Sequence, residues 1–192
     1  MSQPRLLAFA GSARKESFNR RLVAVAAAQA QSAGAVVTLI NLHDFPLPIM
    51  DEDVEAASGL PAHARALKDL FLSHHGLLIA CPEYNSSITP MLKNVIDWVS
   101  RPVPGEAPLG CFNGKVAALL SASPGALGGL RGLVHVRAIL SSINVTVLPD
   151  QFALGKAHEA FNAEGALKDN ANLDRIRAVV ARLVHVTGRL VG

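Results

Sequence analysis

The sequence predicts an α/β protein: a doubly wound, five-stranded parallel sheet in the order 2-1-3-4-5, with helices on both faces. Three observations carry this. Five short apolar runs recur along the chain, each too continuous to belong to a strand with one wet face. After each run the apolar spacing switches to the three-and-four repeat of a helix. The segments richest in polar residues or glycine come straight after the first, third and fourth strands, where an open α/β sheet gathers its ligand loops. Alternating strands and helices imply a parallel sheet covered on both sides. Five strands cannot close an eight-stranded barrel, and they favour this order over the six-stranded dinucleotide-binding one.

The elements follow in order. "RLLAFA", residues 5–10, reads as a short buried strand. From Phe18 the residues Phe18, Leu22, Val25, Ala26 and Ala33 recur at helical spacing, and Gly34 ends that helix. "AVVTLINL", residues 35–42, is apolar and β-branched and forms the second strand. Residues 43–59 read as one long loop, because Pro46 and Pro48 exclude an interior strand or helix. Pro61 opens a helix with Ala64, Leu67 and Phe71 on one face, and His74, His75 and Gly76 close it. "LLIAC", residues 77–81, is the third strand. Thr89 as N-cap and Pro90 in the first turn start a helix carrying Leu92, Val95, Ile96 and Val99. After a Pro/Gly-rich connection over 101–114 come a fourth strand at 115–123 and a helix marked by Leu133, Val136, Leu140 and Ile143. "VTVLP" is the fifth strand, residues 150–168 are irregular, and Leu173, Ile176, Val180, Leu183, Thr187 and Leu190 line a final helix.

Residues 1–192 are expected to form a single domain, since a chain this long buries roughly 70% of its unfolded surface. Half the residues are hydrophobic and 17% are charged, which excludes a disordered chain. The net charge is +3 and the pI near 9.1, but the basic residues are scattered and no run resembles a nucleic-acid-binding tail. Cys81 and Cys111 form no C-x-x-C pair, so neither a disulfide framework nor a zinc site is expected. No apolar stretch reaches the ~18 residues of a membrane span, and the N-terminal apolar run is short and leads directly into a loop. A reducing, cytoplasmic setting is expected, with no membrane or nucleic-acid partner.

The chemistry sits in three loops. "GSARKESFN", residues 11–19, runs into a helix start, where free N–H groups and the helix dipole favour an anion. Ser12, Ser17 and Asn19 add short polar side chains and Arg14 a cation, which suits a phosphate monoester. Ser17 alone also reads as an ordinary helix cap. The loop lacks the glycines of a pyrophosphate site and the Lys-[ST] of an ATP or GTP site. "PEYNSSITP", residues 82–90, puts Pro82, Glu83, Tyr84, Asn85 and Ser86 after the third strand. Tyr84, the one tyrosine, offers a wall for a flat ligand or simply packs beside the helix. Glu83 can equally be a solvated carboxylate. "SASPGALGG", residues 121–129, lets a ring or backbone come close. His43 and His135 read as structural or solvated. Six residues after Cys81 stands Ser87, and after Cys111, Ala117, so the thiolate–arginine loop of a tyrosine phosphatase is absent.

Together, "GSARKESFN", "PEYNSSITPMLKNVIDWVSR" and "SASPGALGG" resemble the NADPH-dependent FMN reductase family, which includes bacterial quinone, chromate and azo reductases. The motifs G-S-x-R-x-x-S-x-N and P-E-Y-N followed by L-K-N-x-I-D-W are met without gaps, and the likeness runs in order along the chain. The resemblance implies a flavodoxin-like fold, bound FMN and NADPH or NADH as co-substrate. It assigns Ser12, Arg14, Ser17, Phe18 and Asn19 to the phosphate, partly through backbone N–H groups. It assigns Pro82, Glu83, Tyr84, Asn85 and Ser86 to one side of the isoalloxazine ring, and Ser123 and Gly125 to the other. It implies ping-pong reduction of a small acceptor, such as a quinone, chromate, an azo or nitro compound or free flavin, with no catalytic side chain and no metal. It also implies a homodimer or homotetramer, with "LKNVIDWVSR" and Arg101 as candidate contacts. The alternative is a non-catalytic electron carrier of the flavodoxin type; such carriers are typically acidic, and a pI near 9.1 speaks against it. The long connection over 101–115 and the small Ser86 depart from a minimal pattern and bear on acceptor choice.

Overall fold

A computed structural model describes residues 3–192. The main sheet is parallel, built from β1 (Arg5–Ala10), β2 (Val36–Leu39), β3 (Gly76–Ala80), β6 (Val116–Ala122) and β7 (Thr146–Leu154). Its order is β2-β1-β3-β6-β7, the expected 2-1-3-4-5 when these five strands are numbered along the chain. A separate two-stranded sheet pairs β4 (Glu83–Tyr84) with β5 (Ser87–Ile88). The helices are α1 (Phe18–Ser32), α2 (Glu52–Ser58), α3 (Ala62–Ser73), α4 (Pro90–Ser100), α5 (Leu130–Ser142), the short α6 (Ala157–Ala160) and α7 (Asn170–Val191).

Alternation along β1 divides the core in two. Leu6, Ala8 and Ala10 face a layer containing Leu22, Ala26 and Ala30 of α1 and Ile176, Val180 and Leu183 of α7. Leu7 and Phe9 face the opposite layer, with Leu67 and Phe71 of α3, Val95 and Val99 of α4, and Leu133 and Val136 of α5. The alanines of β1 and α1 let that helix lie close to the sheet. On the other side Phe9, Phe71 and Phe112 pack as a row of rings, with centroids 5.7 Å apart for Phe9–Phe71 and 5.4 Å for Phe71–Phe112.

Several boundaries differ from the sequence reading. The stretch 43–59 is not one loop: a 3₁₀ turn covers Leu42–Asp44, and α2 begins at Glu52. Pro48 lies far enough upstream to leave that helix intact, and Asp51 caps it by accepting the Asp53 N–H at 2.8 Å. Gly76 does not close α3; it opens β3, where an added Cβ would lie 2.7 Å from Leu6 Cδ2. β2 ends at Leu39, short of residue 42. β7 continues through Pro149 and Asp150 to Leu154, well into the span read as irregular. The register shifts between Ala117 and Leu119, so the proline falls in a bulge on an edge strand, where its missing N–H is tolerated.

Helix α4 buries Leu92, Val95, Ile96, Trp98 and Val99 in the chain's own core. Arg101 at its end is engaged inside the chain, with its guanidinium 2.7 and 2.8 Å from the Glu55 carboxylate. Among the described residues no helix is long and apolar enough to cross a membrane.

Candidate functional site

The carboxyl ends of β1, β3 and β6 are neighbours, and the three loops leave the sheet side by side. Hydrogen bonds lock them together. The Gly11 N–H donates to Ala80 O at 2.9 Å and the Cys81 N–H to Leu120 O at 2.7 Å. Thr89, at the far end of the second loop, donates its hydroxyl to Gly11 O at 2.6 Å and accepts the Leu92 N–H at 3.3 Å as the N-cap of α4. Asn19 exchanges two bonds with the end of β6: its Nδ2 donates to Ala122 O at 2.8 Å, and its Oδ1 accepts the Ala122 N–H at 2.9 Å.

In the first loop Ser12 and Ser17 are buried, whereas Arg14 and Lys15 are exposed. Ser17 is the N-cap of α1, accepting the Arg20 N–H at 3.4 Å, and its hydroxyl proton remains to be donated. The first-turn N–H groups of Phe18 and Asn19 have no intrahelical acceptor, as at any helix start. No acidic residue lies in that first turn, and Glu16 is drawn to Arg21 at 2.7 Å. Among the described residues Arg14 and Lys15 pair with no carboxylate. The local balance is positive and rich in donors, which fits a phosphate monoester.

In the second loop Asn85 and Ser86 are the two turn residues between β4 and β5, at φ 49° and 66°. That is the two-positive-φ pattern of a tight hairpin, usually served by Asn-Gly. Pro82 is buried and Tyr84 half exposed at the hairpin end. The Glu83 carboxylate does not stay in solvent. Oε1 takes Arg131 Nε at 3.0 Å and Nη2 at 2.6 Å, while Oε2 accepts the Gly132 N–H at 3.1 Å. Burial pushes its carboxyl up, but the bonds from Arg131 and Gly132 and the Arg131 charge overcome this and hold it below the ordinary carboxylate range. Helix α5 has Gly129 at its N-cap and no capping side chain of its own. Glu83 therefore caps it from across the chain, accepting the N–H three residues past the cap.

In the third loop Gly128 and Gly129 adopt φ 64° and 90°. A Cβ on Gly128 would lie 2.7 Å from Gly155 N, so glycine is required there by close approach to the end of β7. Gly125 differs: its φ is not positive, and a Cβ would meet only Ser123 Oγ, at 3.7 Å. Nothing inside the chain demands glycine at 125. Ser123 is half-buried, and its Oγ accepts the Gly125 N–H at 3.2 Å.

The structure thus gathers all twelve predicted residues at one edge, but divides their work. Asn19 and Glu83 spend their side chains on the frame. Sequence reasoning missed Thr89 as a tie to Gly11, missed Arg131 and Gly132 entirely, and set His135 aside as structural or solvated without its bond to Ser87. The dense glycines of "GGLRG" were the one available signal. A cleft of about 630 Å³ also lies beside the first loop, between α1 and the end of β2, lined by Lys15, Arg20, Arg21, Leu39 and Phe45 among others. The buried thiol of Cys81 is pushed up by desolvation, which disqualifies it as a nucleophile.

A doubly wound sheet that delivers a donor-rich helix start, a tight aromatic hairpin and a low glycine turn to one carboxyl edge defines a flavodoxin-like α/β protein. The family model of NADPH-dependent FMN reductases matches residues 4–159. The chain belongs to that family and is an oxidoreductase. It is 35% identical to an NAD(P)H-dependent FMN reductase of Pseudomonas aeruginosa, over 98% of this chain and 97% of the relative. It is 34% identical to a quinone reductase of Escherichia coli, over 94% and 88%. Among solved structures it is similar to FerB of Paracoccus denitrificans, a flavoenzyme NAD(P)H:(acceptor) oxidoreductase. That match has a TM-score of 0.82 and 26% identity, over 97% of this chain and 98% of FerB.

Proposed function

We propose that the chain binds FMN across its three loops and uses NADPH or NADH to reduce small acceptors, quinones first among them. The observation that carries this is the convergence of the loops, cross-bonded at Gly11–Thr89 and Asn19–Ala122, into one surface with a cationic, donor-rich end and an aromatic end. Bound FMN would supply two-electron hydride chemistry, accepting from the nicotinamide and passing to the acceptor in alternating half-reactions. The chain's own residues bind and orient. Arg14 and the Ser12 and Ser17 hydroxyls hold the phosphate, while Phe18 and Asn19 contribute backbone N–H groups. Pro82, Tyr84, Asn85 and Ser86 border one side of the ring, with Glu83 contributing only its main chain. Ser123 and Gly125 border the other side. No side chain is required to move a proton. Assembly as a homodimer or homotetramer belongs to the same reading and is tested by light scattering.

The deciding experiment is a titration of purified protein with FMN, followed by NADPH and NADH oxidation against a panel of quinone, azo, nitro, chromate and flavin acceptors. A flavin spectrum with turnover is expected. A protein that gains no flavin sinks the reading; one that binds flavin without turnover leaves an electron carrier. Arg14→Ala and Ser17→Ala should weaken FMN retention more than they lower stability, and unchanged flavin content in both would refute those assignments.

A further inference from the structure

The β4–β5 hairpin is a poor candidate for self-support. It has two cross-strand pairs, Glu83↔Ile88 and Tyr84↔Ser87, and a lone two-stranded ribbon of that length is marginal in water. Its turn places Asn85 and Ser86, neither of them glycine, at positive φ. Its orientation must come from outside, and α5 supplies it. Arg131 forks onto Glu83 Oε1, the Gly132 N–H takes Oε2, and His135 Nδ1 shares a hydrogen bond of 2.8 Å with Ser87 Oγ. Each strand of the hairpin is thereby pinned to α5. The helix is cut away to receive it: a Cβ on Gly132 would lie 3.2 Å from Ser87 O and 3.4 Å from Glu83 Cβ.

We propose that Arg131 and His135 are positioning residues for the cofactor ring: by clamping the β4–β5 hairpin to α5 they set the angle of the ring wall, and with it cofactor affinity and acceptor access. This rests on the reading of residues 82–86 as that wall. The dependence is mutual. Glu83 is the missing cap of α5, and α5 is the missing support of the hairpin. Loosening the clamp therefore frees the hairpin and the first turn of α5, while the five-stranded sheet, held by its own two core layers, stays as it is. Arg131 is the sharper probe, since its side chain is 58% exposed whereas the Glu83 side chain is 9% exposed. Removing the arginine deletes the fork without opening a core cavity.

The test compares wild type with Arg131→Ala, Arg131→Lys and His135→Ala. FMN affinity is read by flavin fluorescence, ring environment by visible circular dichroism of the bound flavin, and hairpin mobility by amide exchange of residues 84–88 in cofactor-free protein. Arg131→Ala should weaken FMN binding about tenfold, change the visible dichroism band and speed exchange at 84–88 about tenfold, with exchange of the sheet unchanged. Arg131→Lys, which keeps the charge and loses the fork, should recover part of each effect, and His135→Ala should give a smaller change of the same sign. FMN affinity within twofold of wild type together with unaltered dichroism in Arg131→Ala overturns the proposal. So does unchanged exchange at 84–88. Wild-type protein that binds no FMN overturns the reading of the site itself, and exchange at 84–88 still decides whether Arg131 holds the hairpin.

Discussion

Replacing Thr89 by valine keeps the shape of the side chain and removes its hydroxyl, and that hydroxyl holds two backbone groups at once. It caps α4 through the Leu92 N–H, a function whose loss costs about 1 kcal/mol. It is also the hydrogen-bond donor to Gly11 O, in a site where Thr89 is 3% exposed. A buried carbonyl left without its donor costs about 1–3 kcal/mol. The sum is about 2–4 kcal/mol. For a chain of this size each kcal/mol moves the melting temperature by about 2–4 °C, so the fall should be roughly 5–15 °C. Urea unfolding followed by far-UV circular dichroism measures the first quantity and calorimetry the second. Because Gly11 opens the loop proposed to hold the phosphate, FMN affinity should fall as well, although Thr89 is not assigned to the cofactor. Thr89→Ser retains the hydroxyl and should recover most of both losses. A Thr89→Val protein within 0.5 kcal/mol of wild type, or a serine variant no better than the valine one, would refute the argument that this hydroxyl joins the two loops.

Asn19→Ala strands the Ala122 N–H and C=O and should cost about 2–4 kcal/mol by urea unfolding, with FMN affinity reduced through displacement of Ser123. Ser86→Gly relieves a positive φ that a side chain tolerates poorly and should stabilise the protein by about 0.5–1 kcal/mol; a loss of stability would show that the turn is not strained. The carboxyl of Glu83 is held below its ordinary value in the folded state, so its stabilising contribution is present above that value, 4.5, and disappears as pH falls through the lower folded one. Wild type should therefore exceed Glu83→Gln in stability by a constant margin above about pH 5, with the margin shrinking below 4.5; a margin that grows in acid would reverse the assignment.

The sheet was readable because its strands are continuous apolar runs and its order follows from their number. What escaped was the effect of neighbours on single residues. Pro46 and Pro48 forbid a helix only where they stand, and Asp51 starts one three residues beyond Pro48. Pro149 looked like the end of a strand, but as an edge residue at a bulge it has no ladder bond to break. Asn85-Ser86 hid the hairpin because the turn normally announces itself with glycine. At the site, the residues proposed to line the surface lie in contiguous motifs, which is why the sequence could nominate them. The residues that fix the surface are paired over 48, 78 and 103 positions, Glu83 with Gly132 being 49 apart, and no spacing rule reaches so far. Asn19 and Glu83 were identified by position, but their side chains turned out to serve the frame.

The ties at Gly11 and Ala122 end on main-chain atoms of one partner, as does the Gly132 bond to Glu83. A main-chain atom is present whatever residue occupies the position, so the bonds at Ala122 do not depend on its side chain, whereas positions 11 and 132 stay glycine because a Cβ there would lie 2.9 Å from Leu92 Cβ and 3.2 Å from Ser87 O. The half-exposed side chain of Tyr84 makes no hydrogen bond among the described residues. The architecture is therefore modular for the protein engineer: residue 84, on the proposed ring wall, can be randomised to retune that wall in a library whose members share one cross-bonded scaffold.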